Sequence, residues 1–282
     1  MNATLHNKQK NELILALNAA EGDLQIVLGN HDGMVLFSSV FYTPSRGAEV
    51  LTPALESTLS LMDLSATDIA GIAVVRGPGS FTGLRLTATT AAGLARAVSA
   101  RQAGLDYMRC IAKECLPRCF SADKNSLLWT IVRARRDLVY AQAFLHGNGD
   151  PATFRPLTAL SVLSVSSGEA AAYIMQQTTL YGASGILLAG SGVRENRDHF
   201  TAAFGATRTT FLNIIGPQPL TLFEEALAAE YGEADIEPLY VRVSDAETNL
   251  PQIAARLGLD PDAAVEKLHR LTHELPEEGQ ED

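Results

Sequence analysis

Short apolar runs near the start of the chain predict three β-strands. The runs Leu13–Leu17, Gln25–Leu28 and Met34–Val40 are separated by segments rich in glycine, aspartate and asparagine, which favour turns. Strands joined in this way form an antiparallel meander. A helix is predicted next, over Gly47–Met62, because leucine and methionine recur there at helical spacing. The strand Gly71–Val75 follows it.

A similar order of elements returns in the second half of the chain. Two strands, Leu127–Val132 and Leu138–Leu145, are joined by a charged turn, and the strand Gly185–Ala189 leads into a glycine turn at 190–192. Further helices are predicted over Leu84–Ala100, Met108–Leu116, Ser167–Gln177 and Leu220–Tyr231, and after the N-cap candidate Asp260. The pattern indicates two α/β halves with a duplicated architecture and no recognisable sequence repetition.

Length and composition agree with a folded α/β protein. The chain has 282 residues, of which 46% are hydrophobic and 19% charged, so enough apolar surface is present to form a core. We expect a first lobe over residues 12–104, a second lobe over 105–246, and an appended helix with an acidic tail over 247–282. No stretch approaches the roughly 20 apolar residues of a membrane span, and no secretory signal opens the chain. We therefore expect a cytoplasmic protein with no membrane contact.

Charge and cysteine content restrict the candidate partners and sites. The net charge of -10 has the wrong sign for gripping nucleic-acid backbones, so any contact with RNA is expected to be indirect. Cys110, Cys115 and Cys119 lack a nearby fourth ligand, which favours buried structural thiols over a metal cluster. His269 and His273 are spaced to bind zinc, but an appended solvent-facing helix more often carries such residues without a role. No metal site is predicted.

One glycine-rich segment stands between a predicted strand and a predicted helix. It consists of Gly77, Pro78, Gly79, Ser80, Phe81, Thr82 and Gly83, with Arg85 shortly after. Backbone N–H groups at a helix N-terminus attract anions, so a phosphate loop is one interpretation. The segment lacks the lysine of a P-loop and the glycine spacing of a dinucleotide site. A tight strand-to-helix turn that binds nothing is the other interpretation.

The same segment resembles a family signature. Residues 77–85 are similar to the GPGSFTGLR motif of bacterial TsaB proteins, which are subunits for biosynthesis of threonylcarbamoyladenosine in tRNA, and the alanine-rich helix follows in both. Four other blocks, at 12–28, 134–140, 190–193 and 238–242, also resemble the family, and all five blocks occur in the family's order. The resemblance implies an α/β protein with the two-lobed actin-like, RNase H-like (ASKHA) fold and mixed sheets.

The resemblance also implies that the chain is the partner of an enzyme and not the catalyst itself. The first hairpin of that superfamily usually carries acidic and hydroxyl groups for metal and phosphate, whereas Asn18, Ala19 and Ala20 stand here. Catalytic relatives of the TsaD type carry a histidine pair at places that correspond to Tyr107 and Ile111. No catalytic residue and no cofactor is therefore predicted.

The function implied by the resemblance is that of a non-catalytic scaffold for threonylcarbamoyl transfer to the adenosine beside the tRNA anticodon. Such a subunit binds and activates a TsaD-type catalytic subunit, is joined by a TsaE-type ATPase, touches tRNA only indirectly, and forms a homodimer when its partner is absent. In the family, two helices of the first lobe make the contact. The interface residues expected here are Leu51, Leu55, Thr58, Met62, Leu84, Thr87, Ala91 and Leu94.

Two other classes of function stay open. One is an enzyme, either an ATPase that uses Gly77–Gly83 and Gly190–Gly192 as phosphate loops or a threonylcarbamoyltransferase that is active by itself. The other is a binding module whose appended helix recruits another protein. Arg133 stands where the family commonly has aspartate, and its basic turn is either solvated or in contact with RNA.

Overall fold

A computed structural model describes most of the chain between residues 13 and 267. The described residues are 13–42, 46–119, 126–135, 138–146, 154–156, 163–205, 207–241, 250–251, 254–256, 259–263 and 266–267. The chain divides into two compact units, Met1–Val241 and Arg242–Asp282. The sheets and helices described next belong to the first unit, and the lobe boundaries expected from the sequence stay a prediction.

The strands and helices alternate along most of the first unit. The strands are β1 (Leu13–Asn18), β2 (Asp23–Asn30), β3 (Val35–Tyr42), β4 (Ile69–Gly77), β5 (Arg101–Asp106), β6 (Ser126–Arg135), β7 (Leu138–His146), β8 (Phe154–Pro156), β9 (Leu163–Ser166), β10 (Gly185–Ala189) and β11 (Thr209–Phe211). The α-helices are α1 (Gly47–Leu61), α2 (Phe81–Val98), α3 (Tyr107–Cys119), α4 (Ser167–Leu180), α5 (Ser191–Glu195), α6 (Arg197–Phe204) and α7 (Pro219–Leu227).

The first sheet contains, within the described residues, five strands in the order β3-β2-β1-β4-β5. β1, β2 and β3 pair antiparallel, as the predicted meander requires, while β4 and β5 extend the sheet in parallel. Every residue of β1 is buried because helices cover both faces of the sheet. The helices α1 and α2 lie on one face. On the other face α3 and α7 pack against alternate residues of the same strands.

The second sheet repeats this arrangement. As far as the structure describes it, six strands follow the order β11-β10-β6-β7-β8, with β9 also paired to β7. β6 and β7 are antiparallel, and β10 and β11 extend the sheet in parallel. α4 and α6 cover one face, while α3 contacts the other and so lies between the two sheets. We call the first sheet with α1 and α2 the first lobe, and the second sheet with α4, α5 and α6 the second lobe.

Most predicted elements are confirmed, and the exceptions are short or weakly apolar. β5 is not predicted, because its sequence RQAGLD contains a single large hydrophobic residue, Leu105. The turn predicted at 190–192 is instead the start of α5, since the helix begins at Ser191. The duplicated architecture is confirmed by the shared plan of an antiparallel meander with two parallel additions.

Several predictions concern the thiols and the end of the chain. Cys110 and Cys115 are buried structural thiols, as predicted, and burial raises the pKa of the Cys110 thiol well above its usual range. Among the described residues no cluster of three or more His, Cys, Asp or Glu is suited to a metal ion. No described helix is both long enough and apolar enough to cross a bilayer.

In the second unit, the Asp260 carboxylate accepts a hydrogen bond from the backbone N–H of Asp262 (2.9 Å), which confirms its role at a helix start. His269, His273 and the acidic tail lie outside the described residues.

Candidate functional site

The glycine-rich segment packs directly on the hairpin between β1 and β2. The Ser80 N–H donates to the Ala20 carbonyl oxygen at 2.6 Å. A Cβ atom on Gly79 would lie 2.4 Å from that same oxygen, and one on Gly83 would lie 2.0 Å from the Ala19 oxygen. Only glycine allows so close an approach of two backbones. The glycines therefore serve an internal contact between the segment and the hairpin.

The first turn of α2 is held by residues far away in the sequence. The Arg85 guanidinium carbon lies 3.9 Å from the centroid of the Phe81 ring, and its Nε donates to the Tyr240 hydroxyl at 2.9 Å. The Phe81 and Tyr240 rings are 5.1 Å apart. The segment preceding Tyr240 is anchored by the Leu239 N–H, which donates to the Arg76 carbonyl oxygen at 2.6 Å. Two of the motif blocks thus meet in space.

The polar groups of the hairpin are engaged in hydrogen bonds of their own. Asn18 Oδ1 accepts from the Ala20 N–H (2.9 Å), and Asn18 Nδ2 donates to Gln25 Oε1 (2.8 Å). Gln25 Nε2 in turn donates to the carbonyl oxygen of Pro217, in the segment that joins β11 to α7 (2.9 Å). Asn18 therefore orients Gln25 for a contact with a distant segment of the same chain. The buried Ala19 beside it offers no polar side chain.

A carboxylate next to these residues joins three separate parts of the fold. Glu21, at the tip of the hairpin, accepts a hydrogen bond from the Tyr107 hydroxyl on Oε2 (2.7 Å) and one from the Ser191 hydroxyl on Oε1. Ser191 Oγ accepts from the Arg133 N–H at 3.0 Å, which leaves the Ser191 proton to point at Glu21. We call Glu21, Tyr107 and Ser191 the carboxylate cluster.

The enclosure of the carboxylate cluster changes its acidity. Desolvation raises the pKa of Glu21 above its ordinary value, and this outweighs the lowering by the two hydroxyl donors and by the charge of Arg133. Burial and the neighbouring Glu21 raise the pKa of Tyr107 well above its usual range. Tyr107 therefore keeps its proton and acts as a hydrogen-bond donor at neutral pH.

The carboxylate cluster forms part of the wall of a cleft with a volume of about 360 Å³ between the hairpin, α5 and the segment 215–219. Basic Arg133 and Arg194 and acidic Asp23 and Glu195 also line it. Arg133 Nε lies 3.5 Å from Glu195 Oε1, and its side chain is more than half exposed. The charges of the cleft are therefore mixed, and two of them are paired with each other.

The eight predicted interface residues all lie on α1, α2 or the residue that ends α1, but they differ in exposure. Leu51, Thr58, Leu84, Thr87 and Ala91 are buried within the chain itself. Leu55, Met62 and Leu94 are half-buried and pack against the apolar core of the first lobe.

The outer surface of the two helices is formed by other side chains. Leu61 on α1 is 84% exposed, and Gly93 and Ala97 on α2 are exposed as well. We call the exposed and half-buried residues of α1 and α2 the helix-pair face.

Known proteins resemble the chain in both sequence and fold. The family model for TsaD, tRNA N6-adenosine threonylcarbamoyltransferase, matches residues 45–153. The tRNA threonylcarbamoyladenosine biosynthesis protein TsaB of Bacillus subtilis is 29% identical over 136 residues, which are 48% of this chain and 56% of that protein. The chain thus spans little more than half the length of this curated relative.

Two solved structures from Pseudomonas aeruginosa share the fold. A protein described as similar to peptidase YeaZ has a TM-score of 0.60 and 22% identity, and YeaZ has a TM-score of 0.59 and 20% identity. Each comparison covers 82% of this chain and all of the other. The chain therefore resembles the TsaB family in both sequence and fold. Its α/β architecture, with one strand order repeated in two mixed sheets, is the two-lobed actin-like fold that the resemblance implies.

Sequence reasoning misses the carboxylate cluster. In the sequence, Glu21 is only one residue of a predicted turn. Tyr107 is noted only because it stands where TsaD-type relatives have a histidine. The structure places Tyr107 against Glu21, while Ile111 is fully buried in the core. The available signal was a carboxylate directly after the hairpin residues Asn18–Ala20, but only the fold shows which hydroxyls reach it.

Proposed function

We propose that this chain is a non-catalytic subunit of the assembly that forms threonylcarbamoyladenosine in tRNA, and that it binds and activates a TsaD-type catalytic subunit. One observation carries the proposal: the polar groups of the first hairpin are committed to contacts within the chain, while α1 and α2 leave Leu61 and the small residues Gly93 and Ala97 exposed. The process for which the Bacillus relative is named, biosynthesis of threonylcarbamoyladenosine in tRNA, supports the proposal. The TsaD family match, over residues 45–153, contains both helices.

The hairpin supports a role without catalysis. Asn18 is a neutral ligand that already accepts and donates hydrogen bonds, and Ala19 and Ala20 add no donor side chain. The two oxygens of Glu21 each accept a hydroxyl proton, so the nearest carboxylate is committed as well. A divalent cation that binds nucleotide phosphates needs several anionic or neutral oxygen ligands, and this arrangement does not suit one.

The helix-pair face supports a role in binding a helical partner. Leu55, Leu59 and Met62 are half-buried along α1, and Leu61 next to them is largely exposed. On α2, Gly93 and Ala97 are exposed, and among the described residues no atom outside the helix backbone and the adjoining residues lies within 4 Å of a Cβ placed on Gly93. Small residues allow a second helix to approach closely. The same surface pairs two copies of this chain when the partner is absent.

The remaining parts of the proposal concern the other components and the place of action. The net charge of -10 suits a subunit that leaves tRNA binding to its partner. A TsaE-type ATPase joins the complex, and ATP is consumed outside this chain. We place the assembly in the cytoplasm.

A binding experiment with matched variants tests the proposal. The chain is mixed with a TsaD-type protein, their affinity is measured, and the formation of modified adenosine in tRNA is assayed. We expect Gly93→Glu and Leu61→Glu each to weaken binding by about tenfold or more, because each places a charge in an apolar contact. Ala172→Glu, on the exposed side of α4 in the second lobe, is the matched control and should bind like the wild type.

The outcomes test the proposed interface and the proposed function separately. If both helix variants bind as tightly as the wild type, the helix-pair face is not the interface. If the wild type neither binds a TsaD-type protein nor supports the modification, the proposed function is wrong.

Calorimetry with ATP and Mg²⁺ addresses the enzyme alternative. We expect no measurable heat of binding to the isolated chain, and tight binding would favour the ATPase instead.

A further inference from the structure

We propose that the carboxylate cluster is a latch that holds the two lobes together across the cleft. Glu21 comes from the first lobe, Ser191 opens α5 in the second lobe, and Tyr107 opens α3, which lies between the two sheets. The two oxygens of Glu21 are divided between the two hydroxyls. This inference does not rest on the proposed function.

The donors are prepared for this contact. Tyr107 and Ser191 are both buried, with exposed fractions of 3% and 5%. The Tyr107 hydroxyl also lies against Gly216, where a Cβ atom would be 2.9 Å from it, so the tyrosine is confined on the side of the segment that joins β11 to α7. Ser191 is oriented by the Arg133 N–H. Hydrogen bonds from preorganised donors to a carboxylate are among the stronger ones in proteins.

A second polar contact lies beside the carboxylate cluster and also starts from the β1–β2 hairpin. Asn18 holds Gln25, and Gln25 donates to the carbonyl oxygen of Pro217. Both contacts start from the β1–β2 hairpin; the first reaches α5 and the start of α3, and the second reaches the segment that joins β11 of the second sheet to α7. Separation of the lobes therefore breaks charge-assisted and neutral hydrogen bonds together. The hydrogen bonds of Glu21 and Gln25 fix the positions of the residues that line the cleft, and so they fix its width.

The surrounding charges favour a latch over a ligand site. Arg133 is paired with Glu195, and no described cationic side chain donates a hydrogen bond to Glu21. An anion that entered beside Ser191 would meet the Glu21 carboxylate, which already accepts the hydrogen bond from the Ser191 hydroxyl. The cluster is thus satisfied within the chain, and its effect is on the position of the lobes.

Hydrogen–deuterium exchange of the full chain tests the latch. Glu21→Ala removes the acceptor, and Tyr107→Phe and Ser191→Ala each remove one donor with little change in shape, although Ser191→Ala also removes the acceptor of the Arg133 N–H. We expect Glu21→Ala to raise exchange rates about tenfold both at residues 18–25 and at residues 189–195, the change expected from losing one or two such bonds. Each single-donor variant should give a smaller rise at the same two segments. The core of β1 should exchange as in the wild type.

Glu56→Ala is the matched control, because it removes an exposed carboxylate from α1 in the first lobe. A rise confined to the hairpin would mean that Glu21 only supports its own turn, and this would overturn the proposal. Unchanged exchange at both segments in Glu21→Ala would do the same. Should Glu21→Ala fail to fold, Tyr107→Phe and Ser191→Ala decide the question alone, since unchanged exchange in both excludes a latch.

Discussion

Two glycines of α2 have opposite surroundings. A Cβ on Gly83 would lie 2.0 Å from the Ala19 carbonyl oxygen, whereas among the described residues no atom outside the helix backbone and the adjoining residues lies within 4 Å of a Cβ on Gly93. A substitution at Gly83 forces two backbones apart, while one at Gly93 meets only solvent. The two positions therefore separate the effect of close packing from the effect of helix propensity within one helix.

We expect Gly83→Ala to lower the free energy of unfolding by roughly 1–3 kcal/mol, the range for overpacked sites. Gly93→Ala should raise it by up to about 1 kcal/mol, because alanine favours the helix over glycine. Urea denaturation of both variants measures the difference. Equal effects at the two positions would contradict the packing described between α2 and the hairpin.

At the residue scale, sequence reasoning identifies the motif but not its contacts. The glycines at 77, 79 and 83 mark a special segment, and both a phosphate loop and a tight turn are consistent with them. The choice depends on the Ala19 and Ala20 carbonyl oxygens, whose approach is set by the fold. The hydrogen bond between Ser191 and Glu21 joins residues 170 positions apart, and no local pattern predicts it.

Among the elements, α2 shows why helix faces are difficult to assign from small residues. Alanine and glycine occur on several sides of this helix, so its periodicity is weak. Ala91 packs inside the first lobe with no exposed area, while Ala97 is exposed. The expected interface set includes Ala91 because size alone does not show which side faces the sheet.

Charged substitutions at these two alanines test the orientation of α2. Ala91→Glu should lower the free energy of unfolding by roughly 3–5 kcal/mol, because it buries a charge without a partner. Ala97→Glu should change it by less than about 1 kcal/mol, as for other surface sites. Thermal unfolding followed by circular dichroism compares them. A stable, folded Ala91→Glu protein would show that the helix presents another face to the sheet.

Strands and helices with strong patterns are predicted well, and short ones are not. The meander β1–β3, the hairpin β6–β7 and the long helices follow from alternation or helical spacing. β5, β8, β11, α5 and α6 depend on neighbours in the sheet or on the turns before them. Their sequences are too short or too polar for periodicity to distinguish them from loops.

For the molecule as a whole, Glu21 couples protonation to stability. Its pKa is raised in the folded protein above the ordinary value of 4.5, chiefly by desolvation. Below the ordinary value both states are protonated at this group. Above it, the unfolded chain releases the proton first, so the folded state binds more protons. Stability therefore falls as the pH rises from 4.5 through the folded pKa, and levels off beyond it.

Glu21→Gln should remove this part of the pH dependence. Measured by urea denaturation from pH 4.5 upward, the wild type should lose stability relative to the variant as the pH rises. Asp23, whose pKa burial also raises, lies in the same cleft with Arg133, Arg194 and Glu195. Asp23→Asn removes this second carboxyl, so it measures how much of the pH dependence comes from the other titrating group of the cleft. A difference between wild type and Glu21→Gln that is constant with pH would contradict the assignment.

The return of α7 to the first sheet has a consequence for synthesis on the ribosome. Phe223 of α7 is fully buried, and it lies where a Cβ on Gly29 of β2 would come within 2.3 Å of its ring. The last strand of the first sheet ends at Asp106 and α7 begins at Pro219, so the part of this face that α7 covers stays open while more than a hundred further residues are translated. Long-range closure of this kind slows folding and leaves apolar strands open to misassociation. The nascent chain is thus expected to need protection by a chaperone until α7 emerges.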